Sequence, residues 1–343
     1  MNKAFAEFLT FSEQDRRDVF EAAAARLDTL PSYVEKDLWV CIVLDVIFNG
    51  LPDGHPRLLF KGGTSLSKVF GLINRFSEDI DLVVYRDDLG IEGDSDPIAA
   101  ESLSKNQRTA LFKQLTERCG SYIIGDFRAA LTRAVSKVAE GCLVVPDGDY
   151  SQTLLVEYPT LYPSSDTAYV APSVKIEAGA KSALDPNQTG GVTAFIDDDL
   201  HDSSLHVSNV NVLSPRRTYW EKLLILHGAH CGYRDEQRLP EDRNRISRHY
   251  YDAAMITATD IGASALNDLE LLDAVRSHNL VAFRQAWKRF EQATPGSLRL
   301  VPQSGLREAI EQDYAAMQGM VLGEAPEFGW IDERLQEAEA AVN

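Results

Sequence analysis

The spacing of apolar and polar positions predicts helices at both ends of the chain and strands between them. Charged and apolar residues alternate at helical spacing over residues 11–28. Pro31 begins a second predicted helix, since proline is tolerated in a first turn, and this helix runs to about Asn49 and ends at Gly50. From Pro215 onward the pattern is helical again. The chain is therefore expected to begin and end with helices.

Short apolar runs of strand length occupy the middle of the chain. We expect strands at Leu58–Phe60, Ile80–Tyr85, Cys142–Val145, Thr153–Tyr158, Ser173–Ala178 and His206–Leu213. Helices are expected between them at Thr64–Leu72, 102–119 and 121–140. This order of elements, α, then α/β, then all-α, predicts two domains, residues 1–213 and 214–343.

Two polar stretches carry no such pattern. Residues 87–101 include six acidic side chains and no Lys or Arg, so we interpret them as a solvated loop. The Gly190-Gly191 pair precedes three consecutive aspartates, Asp197–Asp199, and is interpreted as a solvated turn.

Charge and cysteine content narrow the function classes. The chain has 52 acidic and 34 basic residues, a net charge of −18, which argues against non-specific attraction to nucleic acid. None of its four cysteines forms a CxxC pair, as expected for reduced thiols of a cytosolic protein. The N-terminus is too polar for a signal peptide, and the longest apolar run, Leu38–Phe48, is too short to span a bilayer. We expect a cytoplasmic protein with no membrane partner.

The first chemical signal is a glycine pair that follows a predicted strand. Gly62 and Gly63 would let backbone N–H groups approach a phosphate closely, and the helix that follows would direct its positive end to the same place. Thr64 and Ser65 add hydroxyl donors. With Lys61 before the pair, this segment is predicted to bind the phosphates of a nucleotide.

The second signal is a pair of carboxylates at the start of the next predicted strand. Side chains alternate along a strand, so Asp79 and Asp81 share one face, and aligned carboxylate oxygens suit Mg²⁺ held together with substrate phosphates. Ser77, two residues earlier, is in register with them and is expected to help bind the phosphates. A third carboxylate often completes such a metal site, and Glu177 is the best candidate, with Glu157 a weaker one.

The segments that carry these two signals resemble a known family. Residues 61–68 followed by residues 75–82 are similar to the first motif of the AbiEii/AbiGii toxin family, and residues 34–39 and 175–182 also resemble it. Its members resemble polymerase-β-like nucleotidyltransferases and act as toxins of bacterial toxin–antitoxin and phage-abortive systems. The resemblance implies an α+β fold: a nucleotidyltransferase core with a mixed sheet, flanking N-terminal helices and a helical C-terminal domain.

The resemblance also assigns roles to two distant residues. The family has a lysine in a helix after the strands, matched here by Lys222, which would neutralise the triphosphate. It also has a late aspartate in a helix, matched by Asp252. The implied reaction is Mg²⁺-dependent transfer of a nucleoside monophosphate from an NTP to an RNA, tRNA being the expected acceptor, with a separately encoded antitoxin.

Other functions remain open on the sequence alone. The acceptor could be a protein or a small molecule, the same carboxylates could serve a metal-dependent nuclease, or the chain could bind an NTP without catalysis. Residues 216–248 contain eight Lys or Arg side chains and five acidic ones, so they would either contact RNA phosphates or form internal salt bridges.

Overall fold

The computed structural model describes residues 1–100, 102–163, 171–200, 204–239 and 246–343. The chain forms two compact units. The first contains residues 1–69 and 76–213, and the second contains residues 70–75 and 214–343. Within the described residues no helix is both long enough and apolar enough to cross a membrane.

A seven-stranded sheet organises the first unit. Its strands are β1 (Leu58–Lys61), β2 (Ile80–Val84), β3 (Leu143–Pro146), β4 (Thr153–Glu157), β5 (Ser173–Gly179), β6 (Asn187–Thr193) and β7 (His206–Leu213). They lie in the order β3-β4-β5-β2-β1-β7-β6. The β2–β5 and β1–β7 pairs are parallel and the others antiparallel. The predicted α+β class with a mixed sheet is confirmed.

In the described part of this unit, six α-helices accompany the sheet. They are α1 (Lys3–Leu9), α2 (Glu13–Leu27), α3 (Pro31–Asp45), α4 (Gly62–Lys68), α5 (Lys105–Tyr122) and α6 (Arg128–Val135). Helix α3 is the central one, because every residue from Tyr33 to Asp45 is buried and it packs against α2, β5 and β7. It continues as a π-helix to Gly50, where the sequence predicts its end.

One strand was missed because its sequence is polar. The pair Gly190-Gly191, interpreted as a solvated turn, lies inside the edge strand β6, so that interpretation is wrong. An edge strand has one partner and one open side, and it therefore lacks the apolar run by which buried strands are recognised. Its glycine has a packing reason, since a Cβ on Gly190 would lie 2.5 Å from Val69 Cγ1.

The acidic stretch that follows β2 is more ordered than its composition predicts. It contains two short 3₁₀-helices, Asp87–Leu89 and Gly93–Ser95, and Asp96 is buried with its carboxylate 3.2 Å from Arg86 Nε. Residues 87–88, 90 and 92–94 are exposed, as predicted for a solvated loop, whereas the buried Asp96 was not predicted. The two helices expected between 102 and 140 instead form one run, since a π-helical turn joins α5 to α6.

Helices make up the second unit. They are α7 (Pro215–Glu236), α8 (Ser247–Thr257), α9 (Asp260–Leu266), α10 (Leu269–Ala282), α11 (Ser304–Met317) and α12 (Phe328–Val342). Helix α8 is the core element, packed against α7, α9, α11 and α12. The segment Phe70–Arg75 belongs to this unit, where the backbones of Arg75 and Val321 form an isolated antiparallel β-bridge.

Candidate functional site

The turn between β1 and α4 is built around a glycine that touches an aspartate. Gly62 has φ +83°, a left-handed conformation that L side chains rarely adopt. A Cβ at this position would overlap the Asp81 carboxylate oxygen Oδ2. Asp81 pairs in register with Lys61 on the neighbouring strand, so the carboxylate lies directly against the turn. The sequence singled out the glycine pair but not which of the two makes this approach.

The predicted phosphate-binding hydroxyls hold the motif together in this structure. Thr64 Oγ1 donates to the Asp79 carbonyl over 2.5 Å and lies 2.9 Å from Ser77 Oγ. Ser65 Oγ donates to the Gly62 carbonyl over 2.9 Å. Thr64 and Ser65 are buried, so these hydrogen bonds connect the glycine turn to the strand that carries the aspartates. Their contact with a phosphate stays a prediction.

The carboxylates lie at the meeting of two parallel strands. Asp81 in β2 is the register partner of Glu177 in β5, and register partners present their side chains on the same face about 5 Å apart. Asp79 directly precedes β2, and the residue between the two aspartates, Ile80, is fully buried. Alternation therefore directs Asp79 to the face of Asp81. Glu157 faces Ser173 at the far end of the β4–β5 pair.

These oxygen donors suit a hard cation, although they are not gathered into a finished metal site. Among the described residues, no three His, Cys, Asp or Glu side chains are arranged to hold a metal ion. Glu177 Oε1 instead lies 2.5 Å from Lys175 Nζ. Two neighbouring carboxylates on adjacent strands repel each other, and a cation between them relieves that repulsion. Asp79, Asp81 and Glu177 thus fit Mg²⁺ by their chemistry and shared face.

Helix α3 supports the motif with charged residues that the sequence did not assign. Lys36 Nζ lies 2.5 Å from a Glu78 carboxylate oxygen, and Glu78 directly precedes Asp79. Asp37 lies 2.6 Å from Lys68 Nζ at the end of α4. The Lys36, Asp37 and Lys68 side chains are almost entirely buried. Both ends of the motif are therefore tied to one buried helix.

These pairs are strongly coupled because water is excluded from them. Burial disfavours the charged form of Lys68, yet the adjacent Asp37 carboxylate raises the pKa of Lys68 above its usual value. Removing one member would leave the other charge buried and unpaired, which is costly. The signal in the sequence was a run of charges inside an apolar helix, but nothing in it reveals the partners.

The second unit contains a buried ion cluster formed by three residues. Lys222 Nζ lies 2.7 Å from Asp252 Oδ2. The Arg75 guanidinium donates to both oxygens of the same carboxylate, from Nε and Nη2, each over 2.8 Å. Arg75 and Lys222 are almost completely buried, and Asp252 is fully buried. The two distant residues named from the family resemblance are therefore direct neighbours.

Electrostatics keep the carboxylate of this cluster ionised. Burial would raise the pKa of Asp252, but the Arg75 and Lys222 cations lower it well below its usual range. Burial and the Lys222 cation lower the pKa of the adjacent His249 to about 3, so that imidazole is neutral. Asp252 fixes the position of Lys222 and balances part of its charge. The union of this cluster with Asp79 and Asp81 in one site stays a prediction.

The basic stretch on α7 and beyond is largely occupied by internal pairs. Arg216 pairs with Asp268, Arg217 with Glu221 and Arg234 with Asp235. Arg238 lies over the Trp287 ring at 4.7 Å. Arg243 and Arg245 fall outside the described residues. Of the two alternatives predicted for this stretch, internal salt bridges are therefore found for Arg216, Arg217 and Arg234.

Comparison with known proteins identifies a matching family and a similar solved structure. The model of a family described as "Nucleotidyl transferase AbiEii toxin, Type IV TA system" matches residues 46–340. No curated protein matches the chain. Among solved structures, the fold is similar to MenT4, the nucleotidyltransferase toxin Rv2826c from Mycobacterium tuberculosis H37Rv, with 16% sequence identity and a TM-score of 0.47. That match covers 95% of this chain and 89% of the other.

Proposed function

We propose, from the premise that the chain belongs to the family of AbiEii nucleotidyl transferase toxins of type IV toxin–antitoxin systems, that it transfers a nucleoside monophosphate from an NTP to a hydroxyl of an RNA. Family membership makes it an NTP-using nucleotidyltransferase. We propose in addition that the acceptor is an RNA, first of all a tRNA, and that the reaction uses a metal ion. The observation that carries it is the register of Asp81 with Glu177, against the turn at Gly62.

In this reaction Asp79, Asp81 and Glu177 would hold Mg²⁺. When bound, the metal neutralises phosphate oxygens and stabilises the charge that develops in transfer. The acceptor hydroxyl attacks the α-phosphorus, its proton passes to one of these carboxylates, and pyrophosphate leaves. The turn at Gly62 and Gly63 presents backbone N–H groups to the phosphates.

Lys222 is proposed to offset phosphate charge during transfer, with Asp252 as the residue that orients it. The 2.7 Å contact between them supports this division of roles, because a lysine fixed by a buried carboxylate needs little reorganisation when the substrate binds. Lys222→Ala is expected to lower kcat by ~10²–10³, as removal of one preorganised charge-stabilising group does elsewhere. A variant that transfers normally would remove Lys222 and Asp252 from the proposed site.

The biological setting is proposed from the family. The toxin would act in the cytoplasm and arrest growth until a separately encoded antitoxin relieves it. With a net charge of −18 and much of its basic stretch internally paired, the chain offers an RNA a local rather than a general attraction. A small acceptor recognised by shape is therefore favoured over long non-specific RNA.

The decisive experiment incubates the protein with each labelled NTP and with total RNA, a purified tRNA pool, or the protein fraction of the same cells. Label transfer to tRNA supports the proposal, whereas transfer to protein alone would replace the acceptor. RNA cleavage without an NTP would indicate a nuclease. Asp79→Asn and Asp81→Asn should each abolish transfer and keep the fold, while Glu157→Gln serves as a matched carboxylate control that retains activity.

A further inference from the structure

Lys175 forms an ion pair with Glu177, the carboxylate proposed as a metal ligand. It lies in β5 two residues before Glu177, so the two side chains share a face of the sheet. Its Nζ is 2.5 Å from Glu177 Oε1, with 24% of the lysine side chain and 41% of the glutamate side chain exposed. The same ammonium lies 5.3 Å from the centre of the Tyr150 ring.

Other acidic groups also interact electrostatically with this ammonium. The Asp79 and Asp147 carboxylates both attract it, in addition to Glu177. Asp81, the register partner of Glu177, lies on the adjacent strand of the same face. Lys175 is therefore the cation that β5 supplies to the acidic face of the sheet.

The position of Lys175 creates a competition. A divalent cation that takes Glu177 as a ligand needs the lone pairs that the lysine ammonium now engages. We propose that Lys175 is a positioning residue that holds Glu177 until the metal binds, and that the displaced ammonium then pairs with the phosphates of the NTP. This inference rests on the proposed metal and nucleotide site.

The strength of the pair suits such an exchange. Partly exposed ion pairs are weak, because water solvates both partners, and one of them changes a binding constant by roughly 2- to 5-fold. Glu177 is thus held in place without being blocked. A fully buried pair would resist exchange, since each separated charge would be left without a partner.

The test measures metal and nucleotide binding separately in the whole protein. Mn²⁺ affinity is measured by electron paramagnetic resonance without nucleotide, and the affinity for a non-hydrolysable NTP analogue is measured by calorimetry with saturating Mg²⁺. Lys175→Met should tighten Mn²⁺ binding by ~2- to 5-fold and weaken analogue binding by a similar factor. Opposite signs for the two ligands would not result from a general loss of structure.

Two further variants establish that the effect acts through Glu177. In a Glu177→Gln background, Lys175→Met should tighten Mn²⁺ binding less than it does in the wild type, because the paired carboxylate is gone and only the attraction of Lys175 to the other acidic groups remains. Lys113→Met removes the same charge from an exposed side chain on α5 and should change neither affinity. Lys175→Arg keeps the charge and should remain near the wild type in Mn²⁺ binding.

The outcomes separate this inference from the proposed function. Unchanged or weaker Mn²⁺ binding in Lys175→Met would overturn the competition, as would an equal gain in the Glu177→Gln background. Unchanged analogue affinity would overturn the transfer of Lys175 to the phosphates. Mn²⁺ binding that survives Asp81→Asn, or that is absent from the wild type, counts against the proposed metal site itself and removes the basis of the competition.

Discussion

Two carboxylates in this molecule hold cations in opposite ways. Asp252 is fully buried and bound by two cations, whereas the Glu177 side chain is 41% exposed and bound by one. A buried charge network is rigid because every partner is needed to offset desolvation. A half-exposed pair can exchange its partner with little cost, since water compensates for the loss. The first arrangement suits a fixed part of a site and the second suits a ligand contact.

The strongest test of this contrast removes the charge of Asp252. Asp252→Asn leaves Arg75 and Lys222 buried without a counter-charge and should lower the free energy of unfolding by about 3–5 kcal/mol. Urea denaturation measures it. Asp273→Asn, on an exposed side chain paired with Arg276, is the matched control and should stay within about 0.5 kcal/mol. A loss below about 1 kcal/mol for Asp252→Asn would show that the cluster does not hold this unit together.

A second prediction separates backbone strain from displacement of Asp81. Gly62→Ala and Gly54→Ala both place a side chain at positive φ, +83° and +88°, and each should cost about 1–2 kcal/mol of stability. Only the Gly62 variant drives a Cβ into the Asp81 carboxylate, since nothing lies within 4 Å of a Cβ on Gly54. Transfer should therefore fall by ~10²-fold in Gly62→Ala alone. Equal transfer rates in the two variants would contradict the close approach at Gly62.

A third prediction uses pH to probe the buried cluster. The pKa of His249 falls from an ordinary 6.5 to about 3 in the folded chain, because of burial and the Lys222 cation. The unfolded chain therefore takes up this proton first as the pH falls. The contribution of His249 to the free energy of unfolding is fully present above about pH 6.5 and is lost progressively towards pH 3. One such group contributes a slope of at most about 1.4 kcal/mol per pH unit.

Unfolding free energies measured at several pH values between 7 and 4.5 check this slope. His249→Gln should flatten it, because the group with the lowered pKa is removed. His227 also has a pKa lowered to about 4 by burial, so part of the slope should remain after the first substitution. An unchanged slope in His249→Gln would indicate that this imidazole is protonated equally in both states.

The smallest expected effect is at the exposed pair. Glu177→Gln should change the free energy of unfolding by about 1 kcal/mol or less, because its partner Lys175 is partly hydrated. Transfer should nevertheless drop, since a proposed metal ligand is lost. Thermal unfolding and a single-turnover assay measure the two quantities. A large stability loss would place Glu177 with Asp252 as a structural charge.

Strand alternation made the carboxylate-bearing face of the sheet predictable. The pattern around Asp79, Asp81 and Glu177 indicated a common face, and the register of β2 with β5 brings Asp81 and Glu177 together. Lys222 and Asp252 were singled out from the family resemblance alone, and their direct contact was found in the structure. The periodicity of α7 and α8 carries no information about which residues meet across two helices.

What escaped prediction depends on partners far apart in the chain. Glu35, Lys36 and Asp37 read as a polar interruption of an apolar helix, yet all three are buried with partners that sequence spacing does not reveal. Strand β6 escaped because polar and glycine residues at a sheet edge leave no apolar signature. Of the glycine pair, only the structure identifies Gly62 as the one at positive φ.

The salt bridge between Arg75 and Asp252 has a consequence for the newly synthesised chain. The two residues are 177 positions apart, and a ribosome adding about 5–20 residues per second needs roughly 10–35 s to cover that interval. During this time the first nucleotidyltransferase motif has left the ribosome, but Arg75, two residues before Ser77, has no Asp252 to bind. A nascent or prematurely terminated chain therefore contains the motif without the salt bridge between Arg75 and Asp252. The ion cluster forms only late in translation.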